Sequence, residues 1–334
     1  MDSADLAHPA PVVLPPLPAD LADRFTLLPV GPDDVEEVYR LVCACDTAVL
    51  GYADWGAEDI ESDTGPGLHG RRDQAVVRDR GSGRVVSWWW TDPRLGASNY
   101  LTDVYVDPGL PSGLGDAVSA AGWAAVEGWA RAHYAGHQIR DPRLGAGSLV
   151  GDTPTEGRLE RAGFGRVRTF WRMAGDVPEV PRPAPDVPGL RIEVSDDYRL
   201  IHLLREETFA DHWGHDPEPY DAFAERLRRA PGFEPRFWFV ATVDGEPAAT
   251  MTCSRQMAAE RTLYVMMLGT RRAYRGQGIA GALLHHAFEL ARAEGYTRVA
   301  LGVDSDSPTG APSVYRRAGL DVQFATTAWH KPLT

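Results

Sequence analysis

Apolar and polar positions alternate along the second half of the chain in an order that predicts strands interleaved with helices. Residues 190–194 predict a short strand, and residues 196–214 place apolar side chains at helical spacing. Residues 237–255 predict two strands joined at Asp244, where an Asp-Gly pair favours a tight hairpin turn. The run 261–270 is apolar on both faces, so we expect a buried central strand there.

After this expected central strand, the pattern changes to a long helix and then returns to strands. Residues 279–295 combine helical spacing with a terminal glycine, and residues 297–303 predict a further strand. A short helix over 312–319 and a final strand over roughly 320–330 complete this half.

The first half repeats this order more loosely. A hairpin is expected over 74–90, a strand over 100–108 and a helix over 116–134. The segments 157–163 and 313–319 both end in Arg-Ala-Gly, each at the end of a predicted short helix. The repetition indicates two copies of one domain, in which Leu159 of the early segment corresponds to Tyr315 of the late one.

A proline-rich segment separates the two halves, and its prolines exclude helix and interior strand. We therefore expect a disordered tail over 1–22, a first domain over 23–174, an extended linker over 175–189 and a second domain over 190–334. The expected fold class is α/β with a mixed α+β sheet. Each domain should have a central, mostly antiparallel sheet flanked by helices.

Composition indicates a globular protein whose partner is not nucleic acid. Hydrophobic residues make up 43% of the chain, charged residues 24%, and the net charge is −13, which disfavours polyanions and is compatible with a cationic substrate. The three cysteines give neither a disulfide framework nor the spacing of a metal site. No apolar run approaches the ~20 residues that span a bilayer, and the chain does not start like a signal peptide. A cytoplasmic protein without a membrane partner is expected.

The segment 264–291 carries the strongest chemical signal, because an apolar strand enters a loop rich in arginine and glycine that opens a long helix. Gly276 and Gly278 let the backbone turn sharply and approach a ligand. The first N–H groups of the helix have no internal partner and lie at the positive end of the helix dipole. Three arginines add full charges: Arg271, Arg272 and Arg275. The combination predicts a pyrophosphate site that is neither a P-loop nor a dinucleotide fingerprint.

This segment resembles the GNAT family of acyl-CoA-dependent N-acyltransferases. The residues RGQGIA (275–280) match the family's Arg/Gln-x-x-Gly-x-Gly/Ala motif, and residues 307–320 are similar to its late segment, in which a tyrosine opens Tyr-x-x-x-Gly-Phe. The resemblance covers all of the second half. In the first half it rests on element order and on LERAGF (159–164). The tandem layout with a degenerate first copy is similar to actinobacterial tandem acyltransferases of the mycothiol synthase type.

The resemblance implies acetyl-CoA as co-substrate, without a metal. Family members bind the pyrophosphate on backbone amides of the Arg/Gly loop, and the pantetheine arm lies along the splayed end of the central strand, where a backbone N–H can polarise the thioester carbonyl. The corresponding positions here are Met266, Met267, Leu268, Arg275, Gly276, Gln277, Gly278, Ile279 and Ala280. Ser307 is assigned to the same site, although the family often has asparagine at this position, which changes one hydrogen bond to the co-substrate.

The resemblance also implies the catalytic groups. Tyr315 matches the tyrosine that faces the sulfur of coenzyme A, and its phenol (pKa about 10) would donate a hydrogen bond to the leaving thiolate, whose thiol has a pKa of about 8.5. The family-type glutamate base aligns with Thr262 here, so Glu260, two residues earlier and expected on the same strand face, is the candidate base. A solvated residue at the strand entrance is the alternative for Glu260. Asp211 and His212 follow the first helix of the domain, where the family places its acceptor-binding loop.

The first half lacks these features. Gly113 and Gly115 are present after its central strand, but the loop has no arginine and is interrupted by Pro111. Leu159 replaces the tyrosine, and a leucine cannot donate to a thiolate. We therefore predict that the first domain does not catalyse and does not hold coenzyme A tightly.

The sequence thus predicts an acyl-CoA-dependent N-acyltransferase that acts on a primary amine of a small molecule. The amine would attack the thioester directly in the second domain, and the protein would be a monomer or a homodimer. The alternative is a catalytically silent acyl-CoA-binding or structural module. The intact RGQGIA together with Tyr315 favours the enzyme, because a pure binding module has no need of a phenol at the sulfur.

Overall fold

The computed structural model describes residues 13–64, 73–92, 98–135, 139, 141–215, 217–228 and 232–333. The chain divides into two compact units. The first unit comprises Met1–Arg168 together with Thr326–Thr334, and the second unit comprises Thr169–Ala325.

The first unit is a mixed sheet flanked by helices. Its strands are β1 (Phe25–Pro29), β2 (Asp73–Asp79), β3 (Val85–Asp92), β4 (Asn99–Val106) and β5 (Arg143–Leu149). Its helices are α1 (Ala19–Ala22), α2 (Val35–Leu50), α3 (Ala57–Thr64), α4 (Ser112–Tyr134) and α5 (Thr153–Arg161). Strands β1 to β5 lie side by side in chain order, and only β4 and β5 run parallel. The strand Thr326–Pro332 completes this sheet antiparallel to β5.

The three consecutive tryptophans of β3 explain how both faces of this sheet are filled. Trp88 is fully buried and packs with α2, whereas Trp89 is fully buried in the cluster formed with α4. The ring of Trp88 also stacks on Tyr105 with 5.5 Å between centroids. Alternation along a strand sends neighbouring side chains to opposite faces, so the three rings serve both cores.

Part of the segment expected to be a disordered tail over 1–22 is ordered. Leu21 is buried, Leu14 and Leu17 pack against the same core, and the Trp129 indole donates a hydrogen bond to the Val13 carbonyl at 3.1 Å. The prolines of this segment exclude long helix, but they do not prevent apolar side chains between them from covering a core. Residues 1–12 of the expected tail lie outside the described residues.

The second unit has the same kind of architecture. Its strands are the later part of β6 (Gly165–Asp176), β7 (Leu190–Val194), β8 (Phe233–Val243), β9 (Glu246–Ser254), β10 (Thr262–Thr270), β11 (Arg298–Asp304) and the start of β12 (Asp321–Pro332). Its helices are α6 (Tyr198–Phe209), α7 (Tyr220–Arg228), α8 (Ile279–Ala293) and α9 (Ala311–Ala318). The sheet order is β6-β11-β10-β9-β8-β7, with β10 and β11 as its parallel pair.

The turn between β8 and β9 confirms the expected hairpin. Asp244 and Gly245 both have positive φ angles, of 52° and 88°. Two left-handed residues in a two-residue loop match the twist of the flanking strands. The expected mostly antiparallel sheet with flanking helices is present in each unit.

The two compact units differ from the domains expected from the sequence at two strands. Residues 170–176 of β6 pair with β11 and so belong to the second unit, and Thr326–Pro332 of β12 pairs with β5 in the first unit. A strand pattern shows that a segment is extended but not which sheet it completes, so a division read from chain order alone places these two segments in the other unit.

Candidate active site

The site of interest lies where the two parallel strands of the second unit separate. Strands β10 and β11 are paired from Thr262 with Arg298 to Val265 with Leu301. Next to this point β10 contains a bulge against β9, with a register shift between Val265 and Met267. Bulges leave ladder groups without a strand partner. The splayed ends form one wall of a cavity of about 590 Å³.

Met266, Met267 and Leu268, the residues expected along the pantetheine arm, all line this cavity. Met266 is 36% exposed although it stands in the middle of a strand. The bulge turns this part of the strand toward the cavity, and thioether side chains adapt to an elongated ligand.

The start of α8 forms the adjoining wall. A short 3₁₀ turn (Arg272–Tyr274) precedes Gly276 and Gly278, whose φ angles are 80° and 86°. Gly278 is the N-cap of α8 and forms no side-chain cap bond, so the first backbone N–H groups of the helix remain available to a ligand. Both glycines line the cavity, as do Ile279 and Ala280. Gln277 is not among the lining residues, and its amide donates to the Ala273 carbonyl at 3.3 Å.

Arg275 lines the cavity, and its guanidinium joins the loop to the end of α6. Its guanidinium contacts both Asp211 oxygens, at 2.8 and 3.2 Å, and donates to the carbonyls of Thr208 and Thr270, each at 3.1 Å. Arg271 is also paired, with Glu207 at 2.5 Å. Carboxylates therefore neutralise part of the charge that these two arginines would offer to an anion.

Asp211 lines the cavity, but its carboxylate is engaged by arginines. Besides Arg275 it accepts from Arg272 at 3.2 Å. The hydrogen bond from Arg275 is the main cause that holds the pKa of the Asp211 carboxyl well below its usual range. A carboxylate with this low basicity is unsuited to accept a proton at neutral pH, so Asp211 holds the loop in place rather than deprotonating an amine.

His212 also lines the cavity, and one of its ring nitrogens contacts a backbone carbonyl. Its ring packs against Phe209 with 5.6 Å between centroids, and Nδ1 is 3.3 Å from the Trp213 carbonyl oxygen. A carbonyl only accepts, so Nδ1 carries the proton in the neutral ring and Nε2 carries the lone pair. This tautomer leaves Nε2 able to accept a proton.

Tyr315 is the phenol of the cavity. It lies in α9, which starts after Gly310 and ends at Gly319, both left-handed, and it is only 8% exposed. Burial raises the pKa of Tyr315 to about 12. The hydroxyl therefore stays protonated throughout the neutral range, where it can donate a hydrogen bond but cannot act as a base.

Glu260 does not reach the cavity. It is exposed, lies in the turn that precedes β10, and is not among the lining residues. The expectation that it shares a strand face with Thr262 is wrong, because Arg261 between them has a left-handed φ of 51° and the strand begins only at Thr262. Period-two alternation applies only inside a strand.

Ser307 also lines the cavity, and its hydroxyl is 2.9 Å from that of Thr309. Four further lining residues were not predicted from the sequence. The proline-rich segment contributes Pro178, Arg182, Pro183 and Pro185. Its composition predicts an extended chain, but nothing in it indicates the surface against which that chain lies.

The corresponding segment of the first unit has a different local structure. Helix α4 begins directly after Pro111, so Gly113 and Gly115 are part of the helix instead of a preceding loop. A Cβ added at Gly115 would lie 2.6 Å from Arg158, whose Nε is 2.9 Å from Asp116. Leu159 is fully buried in the core. An arginine and an aspartate thus lie beside the early turns of α4, where the second unit has its glycine loop.

Among the described residues, no group of three His, Cys, Asp or Glu side chains is arranged to hold a metal ion. None of the helices in the described ranges combines the length and the hydropathy of a membrane span.

Comparison with known proteins agrees with this geometry. Residues 198–320 match the model of the acetyltransferase (GNAT) family. A mycothiol acetyltransferase from Beutenbergia cavernae is 26% identical over 241 residues, which cover 65% of this chain and 79% of that protein.

Two solved structures extend the similarity to nearly the whole chain. A GCN5-related N-acetyltransferase from Sphaerobacter thermophilus superposes with a TM-score of 0.77 and 26% identity, covering 95% of this chain and 97% of that one. A tandem GNAT protein from the clavulanic acid biosynthesis pathway superposes with a TM-score of 0.69 and 18% identity, covering 93% and 99%.

The glycine loop and Tyr315 both lie within the residues that the GNAT family model matches. The second unit belongs to the GNAT family, and the protein is an N-acetyltransferase that acts on acetyl-CoA.

Proposed function

We propose that the second unit transfers the acetyl group of acetyl-CoA to a primary amine of a small molecule. The observation that carries this proposal is the convergence of three features in one cavity: the bulged end of β10, the uncapped start of α8 and the buried phenol of Tyr315. These features supply, in turn, a place for the thioester, a place for phosphate and a donor for the sulfur.

Binding would use backbone groups more than side chains. The first N–H groups of α8 and the positive end of its dipole favour the pyrophosphate, and Gly276 and Gly278 keep side chains out of its way. Met266, Met267 and Leu268 offer an apolar channel for the pantetheine arm. Residues of the first unit would not take part in this binding, since Gly113 and Gly115 lie inside α4 there and the buried Leu159 stands at the position of Tyr315.

The chemical step forms one C–N bond and breaks one C–S bond. The neutral amine attacks the thioester carbon, and a backbone N–H of the bulged strand stabilises the negative charge that develops on the carbonyl oxygen. His212 Nε2 accepts the proton that the amine loses, and the leaving thiolate receives a hydrogen bond from Tyr315.

The acidity of Tyr315 limits what this phenol does. With a pKa of about 12 for the phenol and about 8.5 for a thiol, transfer of its proton to the thiolate is uphill by roughly 3.5 units. The hydrogen bond from Tyr315 therefore stabilises the departing thiolate, and the sulfur is protonated afterwards. Burial strengthens such a bond because water does not compete for the donor.

A small acceptor is the class that the relatives support. The relative from Beutenbergia cavernae is named for mycothiol, and the tandem protein is assigned to clavulanic acid biosynthesis. The His212 segment would face such an acceptor, and the acidic balance of the chain is compatible with a cationic amine. Action as a monomer or homodimer stays a prediction from the sequence.

Release of the coenzyme A thiol, measured with acetyl-CoA and a panel of small primary amines, tests the proposal. We expect thiol release that depends on one class of amine and equals the acetylated amine found by mass spectrometry. Tight binding of coenzyme A without thiol release for any acceptor would instead support the alternative, a silent acyl-CoA-binding module.

A further inference from the structure

The proline-rich segment between β6 and β7 is fixed along helix α8 at three points. Arg292 donates to the Pro178 carbonyl at 2.6 Å, and His285 Nε2 lies 2.8 Å from the Arg182 carbonyl oxygen. Val187 reaches the start of the helix, where a Cβ added at Gly278 would lie 3.4 Å from its side chain. The segment is therefore a wall of the cavity and not a free tether.

The proline-rich segment contributes a positively charged side chain to the cavity lining. Arg182 lines the cavity, and its guanidinium donates to the carbonyl of Ala318 at 2.5 Å, at the end of α9. Arg317, one residue before this carbonyl, also lines the cavity. Two guanidinium groups on different segments thus border the same end of α9.

These two cations differ from the arginines of the glycine loop. Among the described residues, neither Arg182 nor Arg317 forms an ion pair with a carboxylate, whereas Arg275 is paired with Asp211. The other carboxylate of the lining, Glu289, has Arg292 at 3.7 Å. The cavity therefore has an excess of positive charge at Arg182 and Arg317, and such a pair of guanidinium groups suits a phosphate.

We propose that Arg182 and Arg317 bind the 3′-phosphate of coenzyme A. The inference rests on the proposed acetyl-CoA-dependent function. Coenzyme A carries a diphosphate and a separate phosphate on its ribose, and the start of α8 accounts for the diphosphate alone. The two arginines provide the charge for the remaining phosphate, and the proline-rich segment thereby becomes part of the nucleotide site.

Equilibrium binding of coenzyme A and of 3′-dephospho-coenzyme A to the full chain tests this inference by calorimetry, without a need for turnover. A hydrogen-bonded charge contact contributes ~1.5–3 kcal/mol, so the intact protein should bind coenzyme A about tenfold or more tightly than the dephospho form. In Arg182→Gln this preference should fall to about threefold or less, and Arg317→Gln should reduce it in the same direction.

Arg316→Gln is the matched control, because Arg316 is the adjacent residue of α9 but lies over the Trp171 ring outside the cavity lining. It removes the same charge and should keep the full preference. A full preference in both Arg182→Gln and Arg317→Gln would overturn the inference, as would a higher acceptor KM with no change in nucleotide preference. Failure of the intact protein to bind either nucleotide would contradict the proposed function itself.

Discussion

The contact between Asp211 and Arg275 links the glycine loop to the end of α6, and Asp211→Asn is the change that tests its importance. The guanidinium of Arg275 makes four contacts with α6, the following segment and β10, and two of them end on the Asp211 carboxylate. Asparagine keeps one neutral acceptor and removes the charge. We expect the loop to lose its fixed position beside the first turn of α8.

The size of this effect follows from the exposure of the pair. The two side chains are 28% and 30% exposed, so solvent weakens the ion pair, although its geometry is bidentate. A loss of about 1–2 kcal/mol lies between the values for exposed pairs and for charged hydrogen bonds. If this energy fixes the loop for acetyl-CoA, the KM for acetyl-CoA should rise about 5- to 30-fold, with a smaller change in kcat.

Steady-state kinetics at varied acetyl-CoA, combined with urea unfolding, gives the decisive comparison. Glu207→Gln is the matched control, because it removes the partner of Arg271 while that arginine keeps its bond to the Pro247 carbonyl. The control should change the KM by less than about twofold. An Asp211→Asn protein that loses the expected stability but keeps its KM would refute the link between this pair and the site.

The stabilisation that the Asp211 carboxylate contributes should weaken at acidic pH. The pKa of the Asp211 carboxyl is lowered in the folded protein, so its contribution to stability is complete above the unfolded value of about 3.9 and is lost as the pH falls through the folded value. The difference in unfolding free energy between the natural chain and Asp211→Asn should be constant from pH 5 to 8 and should shrink below about pH 4.

Three further predictions concern other parts of the chain. Leu159→Ala removes a fully buried side chain of the first unit, so it should lower the unfolding free energy by about 2–5 kcal/mol in urea while leaving the KM for acetyl-CoA unchanged. Burial raises the pKa of Asp103 on β4 to about 7, so ionisation there opposes folding as the pH rises from about 4 to 7; Asp103→Asn should therefore be more stable than the natural chain at pH 8, with a smaller gain at pH 5. Gly278→Ala places a Cβ on a residue with φ of 86°, which costs ~1–2 kcal/mol, and should raise the KM for acetyl-CoA about tenfold in the thiol-release assay.

Much of the fold could be predicted from local patterns. The Asp244-Gly245 hairpin, the central strand and the long helix after the glycine loop follow from alternation, helical spacing and turn residues. The pairing of β12 with β5 could not be predicted, because it joins residues near 330 with residues near 145. No local pattern carries information over that distance.

The residues of the site likewise fall into those that local patterns predict and those that they do not. Gly276, Gly278 and Tyr315 could be identified from short motifs, since their chemistry depends on residue type at a local spacing. The partner of Arg275 lies 64 residues away, so the ion pair that engages the Asp211 carboxylate could not be predicted from a local pattern. One left-handed residue, Arg261, moves Glu260 off the strand face, and a left-handed arginine has no sequence signal.

Tyr315→Phe tests most directly the claim that the second unit does the chemistry through its buried phenol. The turnover rate at saturating acetyl-CoA and amine is compared with the affinity for coenzyme A measured by calorimetry on the same protein. The account predicts a fall in kcat of about 10²-fold or more, as expected for loss of a hydrogen-bond donor to the developing thiolate charge, with coenzyme A affinity changed by less than about threefold. A Tyr315→Phe protein that keeps the kcat of the natural chain would contradict it.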